Sequence, residues 1–459
     1  MSISSAADQA GNVPASGEQG SPAANFASMT VGAAFANMPL TREHLKACIV
    51  LFLVFAIDAW AMMIIVYTAP YISAEMSINP ANMGHLIGAI FVGMAIGSLF
   101  WGRVANHIGR KTSIIASLAL YGVLSGASAF APDYTWLYAL RLLSGIPAAG
   151  MFVICFPLFE EMLPVRDRGR LTVYLAAGWP IGMLLAVGVT VLLAPYGWRW
   201  IIGVSSLPAL FLFAVAAWVP ESPYWLVSKN RQSDARGIIS TLSRGTVQIP
   251  ASTQLRMESS GTGAVVSLFR GPLLPISILQ ILINFTFAWG YWGLQTWLPT
   301  LLQQKGLSLP QSFGFIALST LAMIPGYVAS SILTGRLGRK KVVVGFVACG
   351  AIAGYAFANA WDMPSLYISN FILVFFTLGA WGVWDAWIAE LYPSEVRTDG
   401  YGWAVLSQRL ANIIAPSTIG LLVALNWSFN LTTTLINMFL VATVLLALLL
   451  PETEGKQLA

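Results

Sequence analysis

Apolar runs of helix length recur along the chain at about 46–72, 83–102, 111–131, 134–160, 171–194 and 198–219. Beyond a polar interval they resume at about 273–303, 311–333, 341–360, 364–390, 402–426 and 430–450. A hydrocarbon core of ~30 Å is crossed by ~20 helical residues, so every run is long enough to span a bilayer. The pattern predicts an all-α membrane protein of twelve spans, six plus six, with tight antiparallel hairpins where the gaps after the third and fifth runs are short. On this reading residues 41–219 form one six-helix bundle, 220–272 a cytoplasmic linker and 273–450 a second bundle, the two bundles enclosing a central cavity. Residues 1–40 are rich in Ala, Ser, Gly and Pro and lack a basic stretch followed by an apolar core. They are expected to be a disordered cytoplasmic tail, not a signal peptide, and residues 451–459 a second tail.

Composition and charge narrow the class. The 459 residues are 57% hydrophobic and 9% charged, against ~25% charged in an ordinary soluble domain. The net charge of +5 sits in short clusters between the apolar runs, not along a stripe, which argues against nucleic acid as a partner. Of the 24 Lys and Arg, Arg141 and Arg409 fall inside runs and only Arg199 and Lys305 fall in loops of one parity; the others gather in the tails and the alternate loops. The positive-inside bias then predicts that both termini are cytoplasmic. Cys48, Cys155 and Cys349 show no CxxC spacing and His44, His85 and His107 are scattered, so no disulfide framework, metal site or cofactor is expected. No nucleophile–base spacing appears, and the adjacent Glu160 and Glu161, ~100° apart on a helix, do not converge as paired catalytic acids would. An enzyme is disfavoured.

The halves repeat. GRVANHIGRK (102–111) between spans two and three matches SILTGRLGRK (331–340) between spans eight and nine, and EEMLPVRDRGR (160–170) after span four matches AELYPSEVRTDG (389–400) after span ten. Duplicated punctuation in the same topological order indicates two structural repeats around a substrate path. With these residues in view the sequence resembles the major facilitator superfamily, whose loop motif usually reads Gly-x-x-x-Asp-x-x-Gly-Arg-Arg/Lys. Here Asn106 stands where Asp is common, and Gly335 at the equivalent place in the second half. PESPYWL (220–226) and PETEGK (451–456) resemble closing segments of its sugar and organic-ion porter branch. YWGLQTWLPTLLQQKG (291–306), LGAWGVWDAWIAELYPSEVRTDGYG (378–402) and SQRLANIIAP (407–416) are most similar to bacterial nicotinate and related aromatic-acid transporters. The chain departs from that pattern in four places. Asp58 stands alone in span one with Ala61 at the usual second acid, Met151 replaces an acid in span four, Pro147 replaces a glycine, and Asp385 is an unexpected charge in span ten.

An ionisable side chain at the bilayer centre costs ~2.5–3.5 kcal/mol on insertion scales, so Asp58, Arg141, Asp385 and Arg409 must face a cavity or one another. The resemblance implies an Asp58–Arg141 pair that couples transport to protons; the alternative is a permanent ion pair fixing helix packing. Arg409 offers a planar fork that matches a carboxylate, and its position in related organic-anion carriers implies a substrate contact, with an internal partner such as Asp385 as the alternative. Asp385 itself is divided between gating or structural pairing and a substrate or second proton role. Trp60, Trp179, Tyr291, Trp381 and Trp384 are candidates to stack on a substrate ring, and Asn284 and Gln295 to hydrogen-bond it; each is equally a packing residue in its own right. Gly102, Asn106, Gly109, Arg110, Glu161 and Arg168, with Gly338, Arg339, Glu390 and Arg397 in the second half, are assigned to gating at the cytoplasmic ends, where charges can lock one bundle to the other.

These expectations converge on a proton-coupled symporter that imports a small organic anion, an aromatic or heteroaromatic carboxylate such as nicotinate, by alternating access. It would sit in a bacterial inner membrane, with protons, the organic acid and lipid as its partners, and would act as a monomer. The competing readings are a sugar or polyol symporter in which Arg409 is structural, an organic-cation or drug transporter using Asp58 or Asp385, and a non-transporting receptor on the same fold.

Overall fold

The computed structural model describes residues 28–36, 38–257, 265–393 and 396–452. The expected tails over 1–27 and 453–459 lie outside the described residues. Among the described residues, ten helical stretches are long and apolar enough to cross a membrane. Spans one to four begin with α2 (Arg42–Met76), α3 (Pro80–Ile108), α4 (Arg110–Ser128) and α5 (Tyr134–Glu161). Span five is α6 (Val165–Ala176) continued as α7 (Gly178–Leu193), and span six is α8 (Trp198–Val204) continued as α9 (Leu212–Trp218). The second half comprises α12 (Leu273–Gln304), α13 (Leu309–Leu337), α14 (Arg339–Ala358), α15 (Met363–Glu390), α16 (Arg397–Ala424) and α17 (Phe429–Ala447). The two members outside the ten are α4, diluted by Ser113, Ser117, Ser125 and Ser128, and α16, which carries Arg397, Asp399, Gln408, Arg409 and Asn412. They complete the twelve-helix architecture.

The repeat seen in the loops extends through the packing. In each half the first span packs on the fifth (α2 on α7, α12 on α16), the fourth packs between the second and third (α5 on α3 and α4, α15 on α13 and α14), and the sixth packs on the first and third. Equivalent positions keep one offset: 338 − 109 and 390 − 161 both give 229. The same spacing relates the helix starts. Asn79 and Ser308 accept from the backbone N–H three residues on, as do Asp133 and Asp362, each satisfying a donor that has no partner within its helix.

Close approach within a half depends on small residues. A methyl group on Gly93 of α3 would fall 1.9 Å from the Leu142 carbonyl oxygen, and one on Gly145 of α5 would fall 2.1 Å from the Ile90 carbonyl oxygen. These two helices touch backbone to backbone, the packing that small residues permit where lipid supplies no hydrophobic drive between helices. Leu99, Val123 and Ile352 face outward, highly exposed, as a bilayer-embedded surface requires.

Part of the expected disordered tail is structured. Ser28–Thr30 forms β1, paired in parallel with β2 (Gln254–Arg256), and Val31–Ala36 forms α1. Val31, Phe35 and Met38 are buried with Trp225 and Leu226 of α10 (Pro223–Ser228), Ile239 and Leu242 of α11 (Gln232–Leu242), and Leu255. The apolar residues Val31 and Phe35, spaced one helical turn apart, supply what a disordered tail lacks: a face to bury. Thr41 Oγ1 then donates to the Leu242 carbonyl (2.6 Å), tying the start of α2 to the linker.

Substituting Gly93 by Val is expected to destabilise the protein by about 1–3 kcal/mol, the usual range for forced overpacking. Thermal unfolding of the purified protein in detergent measures it; an unchanged Tm would show that α3 and α5 can separate freely.

Candidate functional site

The two halves meet along α3–α16, α7–α13 and α2–α12. At the end of the bundle away from the termini the seam is tightly closed. A methyl on Gly84 would fall 2.5 Å from the Pro416 carbonyl oxygen, and one on Gly420 2.6 Å from that of Pro80. Across it His85 Nδ1 and Ser417 Oγ lie 3.1 Å apart and Tyr71 stacks on Phe313, while within the second half Trp297 Nε1–H donates to the Pro416 carbonyl (2.9 Å). At the terminal end the ion pairs join residues of the same half, Arg110 with Glu161 (3.7 Å) and Arg339 with Glu390 (2.6 Å).

In this conformation the residues expected to gate make the following contacts. Gly109 and Gly338 adopt φ of 105° and 90°, values that favour glycine, and let the chain turn from one span directly into the next. Glu221, from the PESP segment, accepts from the backbone N–H groups of Arg110 (2.8 Å) and Lys111 (3.1 Å), and Glu452 from that of Lys340 (3.2 Å); each carboxylate caps a helix N-terminus. Arg168 donates to the Leu163 carbonyl and Arg397 to that of Tyr392, at equivalent places. Asn106 Oδ1 accepts from the Arg110 guanidinium, so the residue that replaces the usual acid still holds this arginine. Around Gly102, by contrast, a methyl would meet open space, so no close helix approach depends on it in this conformation.

Midway along the seam the charges converge, though not as the resemblance implied. Asp58 (α2) and Arg141 (α5) are both fully buried but form no ion pair. Arg141 turns instead to the serines of α4: Nη2 donates to Ser128 Oγ (2.8 Å) and Ser125 Oγ (3.2 Å), and Nε to Ser128 Oγ (3.3 Å). The expected direct pair fails because α4 presents hydroxyls to the guanidinium. The arginine in whose electrostatic field Asp58 lies is Arg409 of the other half. The Arg409 guanidinium carbon sits 4.6 Å from the ring centroid of Phe152 on α5, so this side chain reaches across the seam onto the first half. Its Nε and both Asp58 oxygens are buried without hydrogen-bond partners among the described residues.

Aromatic rings lie along the same seam. Trp179 Nε1–H (α7) donates to Tyr291 Oη (α12) at 3.3 Å, and Trp179 meets Trp292 edge-on at 5.8 Å. Tyr291 also contacts Trp381 (5.5 Å), and Phe91 contacts Trp292 (4.7 Å). Trp179, Tyr291 and Trp381 thus come together, with Arg409 on the same interface. Two other expected ring contacts do not join them. The Trp60 N–H is committed to Ser205 Oγ within the first half (3.1 Å), and Trp384 is fully buried, stacked on Phe287 at 4.4 Å. Asn284 is likewise engaged by its neighbours: its Oδ1 accepts from Trp384 Nε1 (2.8 Å) and Gln408 Nε2 (2.7 Å), joining α15 and α16 to α12. Gln295 is buried without a hydrogen bond among the described residues. Asp385 lies beside the Tyr401 hydroxyl, within the second half.

Phe152, Trp292, Tyr401 and Gln408 escaped the sequence reading. A phenylalanine in an apolar run carries no signal of its own, whereas Trp292 and Gln408 adjoin candidates already named.

Replacing Asn284 by Leu would strand the Trp384 N–H and is expected to cost about 1–3 kcal/mol. The check is thermal unfolding in detergent, where an unaltered Tm would mean that this network does not hold α15 and α16 in place.

Comparison with known proteins agrees with the architecture. The chain matches the Major Facilitator Superfamily over residues 51–379 and again over 316–459. It is 31% identical to the niacin transporter NiaP of Acinetobacter baylyi, over 92% of this chain and 97% of that one. It is 26% identical to the 4-hydroxybenzoate transporter PcaK of Pseudomonas putida, over 88% and 91%. Among solved structures, the xylose transporter XylE of E. coli in a partially occluded inward-open conformation superposes with a TM-score of 0.74 at 19% identity, over 91% of this chain and 100% of that one. The chain belongs to the Major Facilitator Superfamily and is a transporter, not an enzyme.

Proposed function

We propose that this protein is a proton-coupled symporter that takes up a small aromatic or heteroaromatic monocarboxylate such as nicotinate. The observation that carries the reading is the position of Arg409: an arginine of the second half, lying over Phe152 of the first and in the field of Asp58, beside a seam lined by Trp179, Tyr291, Trp292 and Trp381. A planar guanidinium fork recognises a carboxylate, and indole and phenol rings accommodate an aromatic body. The names of the relatives, a niacin and a 4-hydroxybenzoate transporter, agree in substrate type.

Coupling follows from charge balance. With the seam empty, Asp58 is the anion that answers Arg409. An arriving carboxylate takes that place and leaves Asp58 without a counter-charge in a low-dielectric site, where a bare carboxylate is costly and binding a proton relieves the cost. One proton entering with one anion is electroneutral, and an inward proton gradient then drives accumulation. The closed seam at Gly84, Gly420 and Tyr71 would be the external gate of an alternating-access cycle and the terminal end the cytoplasmic side, in keeping with the basic loops there. The protein would reside in a bacterial inner membrane and work as a monomer.

Uptake of labelled nicotinate into proteoliposomes should rise with an inward proton gradient and be inhibited by benzoate but not by glucose or a quaternary amine. Arg409→Lys, which keeps the charge and loses the fork, should weaken apparent affinity by about tenfold or more, the worth of one ~1.4 kcal/mol interaction. Inhibition by glucose or by the amine alone would reassign the substrate class, and unchanged affinity in Arg409→Lys would remove the bidentate role.

A further inference from the structure

One polar group among the mid-seam aromatics has more hydrogen-bonding capacity than its surroundings use. Trp179 Nε1–H on α7 donates to Tyr291 Oη on α12 at 3.3 Å, and among the described residues this is the hydroxyl's one hydrogen bond. An indole nitrogen donates and cannot accept, so the direction of the contact is fixed: Tyr291 is the acceptor, and its own proton must point elsewhere. The other rings that Tyr291 meets are Trp292 and Trp381, each at 5.5 Å. Both are indoles too, and offer further donors where an acceptor is needed. Tyr291 is 5% exposed and Trp179 8%, so water has little access to this proton. A buried donor without a partner costs free energy that an arriving acceptor recovers. Ring contacts join the same hydroxyl to Arg409. Trp179 lies 6.3 Å from Phe55 of α2, Phe55 lies 6.3 Å from Phe152 of α5, and Phe152 carries the Arg409 guanidinium over its face at 4.6 Å. Phe55 and Phe152 thus form an apolar wall between a cation at one end and a phenol donor at the other.

We infer that the Tyr291 hydroxyl determines specificity by donating to an acceptor in the substrate's ring, a pyridine-type nitrogen, while Arg409 takes the carboxylate. The inference rests on the monocarboxylate reading proposed above and narrows it to heteroaromatic acids. A ring nitrogen accepts and brings no proton of its own, which suits a hydroxyl surrounded by indole donors. A benzene ring in the same place leaves the phenol proton as it was, without a partner. A hydroxylated ring accepts from Tyr291 but brings a proton for which Trp179, Trp292 and Trp381 supply no acceptor. A pyridine carboxylate therefore ranks above benzoate and hydroxybenzoate, because a site that presents a buried donor discriminates against the analogue that cannot pair with it. Trp179 belongs to the first half and Tyr291 to the second, so the direction of the phenol proton is imposed where the halves meet.

Nicotinate and benzoate are monoanions at neutral pH that differ in a single ring position, so their ratio as competitors isolates this contact. Uptake of labelled nicotinate into proteoliposomes of the full-length protein is measured against rising unlabelled nicotinate or benzoate. In the parent protein nicotinate is expected to compete about tenfold more strongly, the scale of one hydrogen bond. Tyr291→Phe keeps the ring and removes the hydroxyl. It strands the Trp179 N–H for every substrate alike, so a merely structural role would weaken both competitors together and leave their ratio unmoved. The inference requires the ratio to fall to about one. A ratio in Tyr291→Phe that matches the parent protein's overturns it, whatever happens to the two affinities. Should Tyr291→Phe fail to fold, the parent protein decides: benzoate competing as strongly as nicotinate overturns the inference and leaves the monocarboxylate reading in place. No saturable nicotinate uptake by the parent protein removes that reading, and the inference with it.

Discussion

Placing an ionised group where water cannot reach it is the constraint on which the rest of this structure depends. Asp58, Arg141, Asp385 and Arg409 all lie within membrane helices, and each must find compensation from the protein itself. Arg141 finds it in two serine hydroxyls of its own half, Asp385 in the hydroxyl of Tyr401, and Arg409 in the face of Phe152 and the field of Asp58 across the seam. Asp58 has no hydrogen bond among the described residues and meets only the field of Arg409, which has the Phe152 ring besides. A group left in that condition responds most strongly to the arrival of an anion or a proton, which is why the functional proposal is built on it.

The scaffold is symmetric and its charges are not. Helix starts, loop glycines, arginine–glutamate pairs and the carboxylates capping α4 and α14 recur between halves at a near-constant offset. By the same offset, 370 − 141 and 287 − 58 both give 229, so Asn370 takes the place of Arg141 and Phe287 the place of Asp58. Duplication supplies two bundles able to rock against each other around a fixed site. On the proposed reading the proton site belongs to one bundle and the anion-matching arginine to the other. Their meeting at the seam makes the charge balance of the site depend on how the halves sit.

Much of this was legible in the sequence, because hydropathy runs and loop punctuation are local properties. The twelve helices follow from apolar length, including α4 and α16, whose serines and charges dilute the signal without breaking it. The convergence of Trp179, Tyr291, Trp381 and Arg409 was also foreseeable from their spans. Partner choice was not. Whether Arg141 meets Asp58 or Ser128 is decided by how α4 presents its hydroxyls, which no spacing along the chain encodes. Trp384 and Asn284 look like ligand contacts by type, and nothing in the sequence tells that they hydrogen-bond each other. The short pairing of β1 with β2 joins segments more than two hundred residues apart, so a tail of small residues gave no hint of it.

The central claim is that an anion arriving at Arg409 causes Asp58 to take up a proton. Its most direct test is net proton uptake when nicotinate is added to the purified protein in weakly buffered detergent solution, followed with a pH indicator. The account predicts that binding is accompanied by proton uptake in the parent protein and that Asp58→Asn binds without it. Nicotinate binding with no proton uptake, or the same uptake in Asp58→Asn, would contradict it.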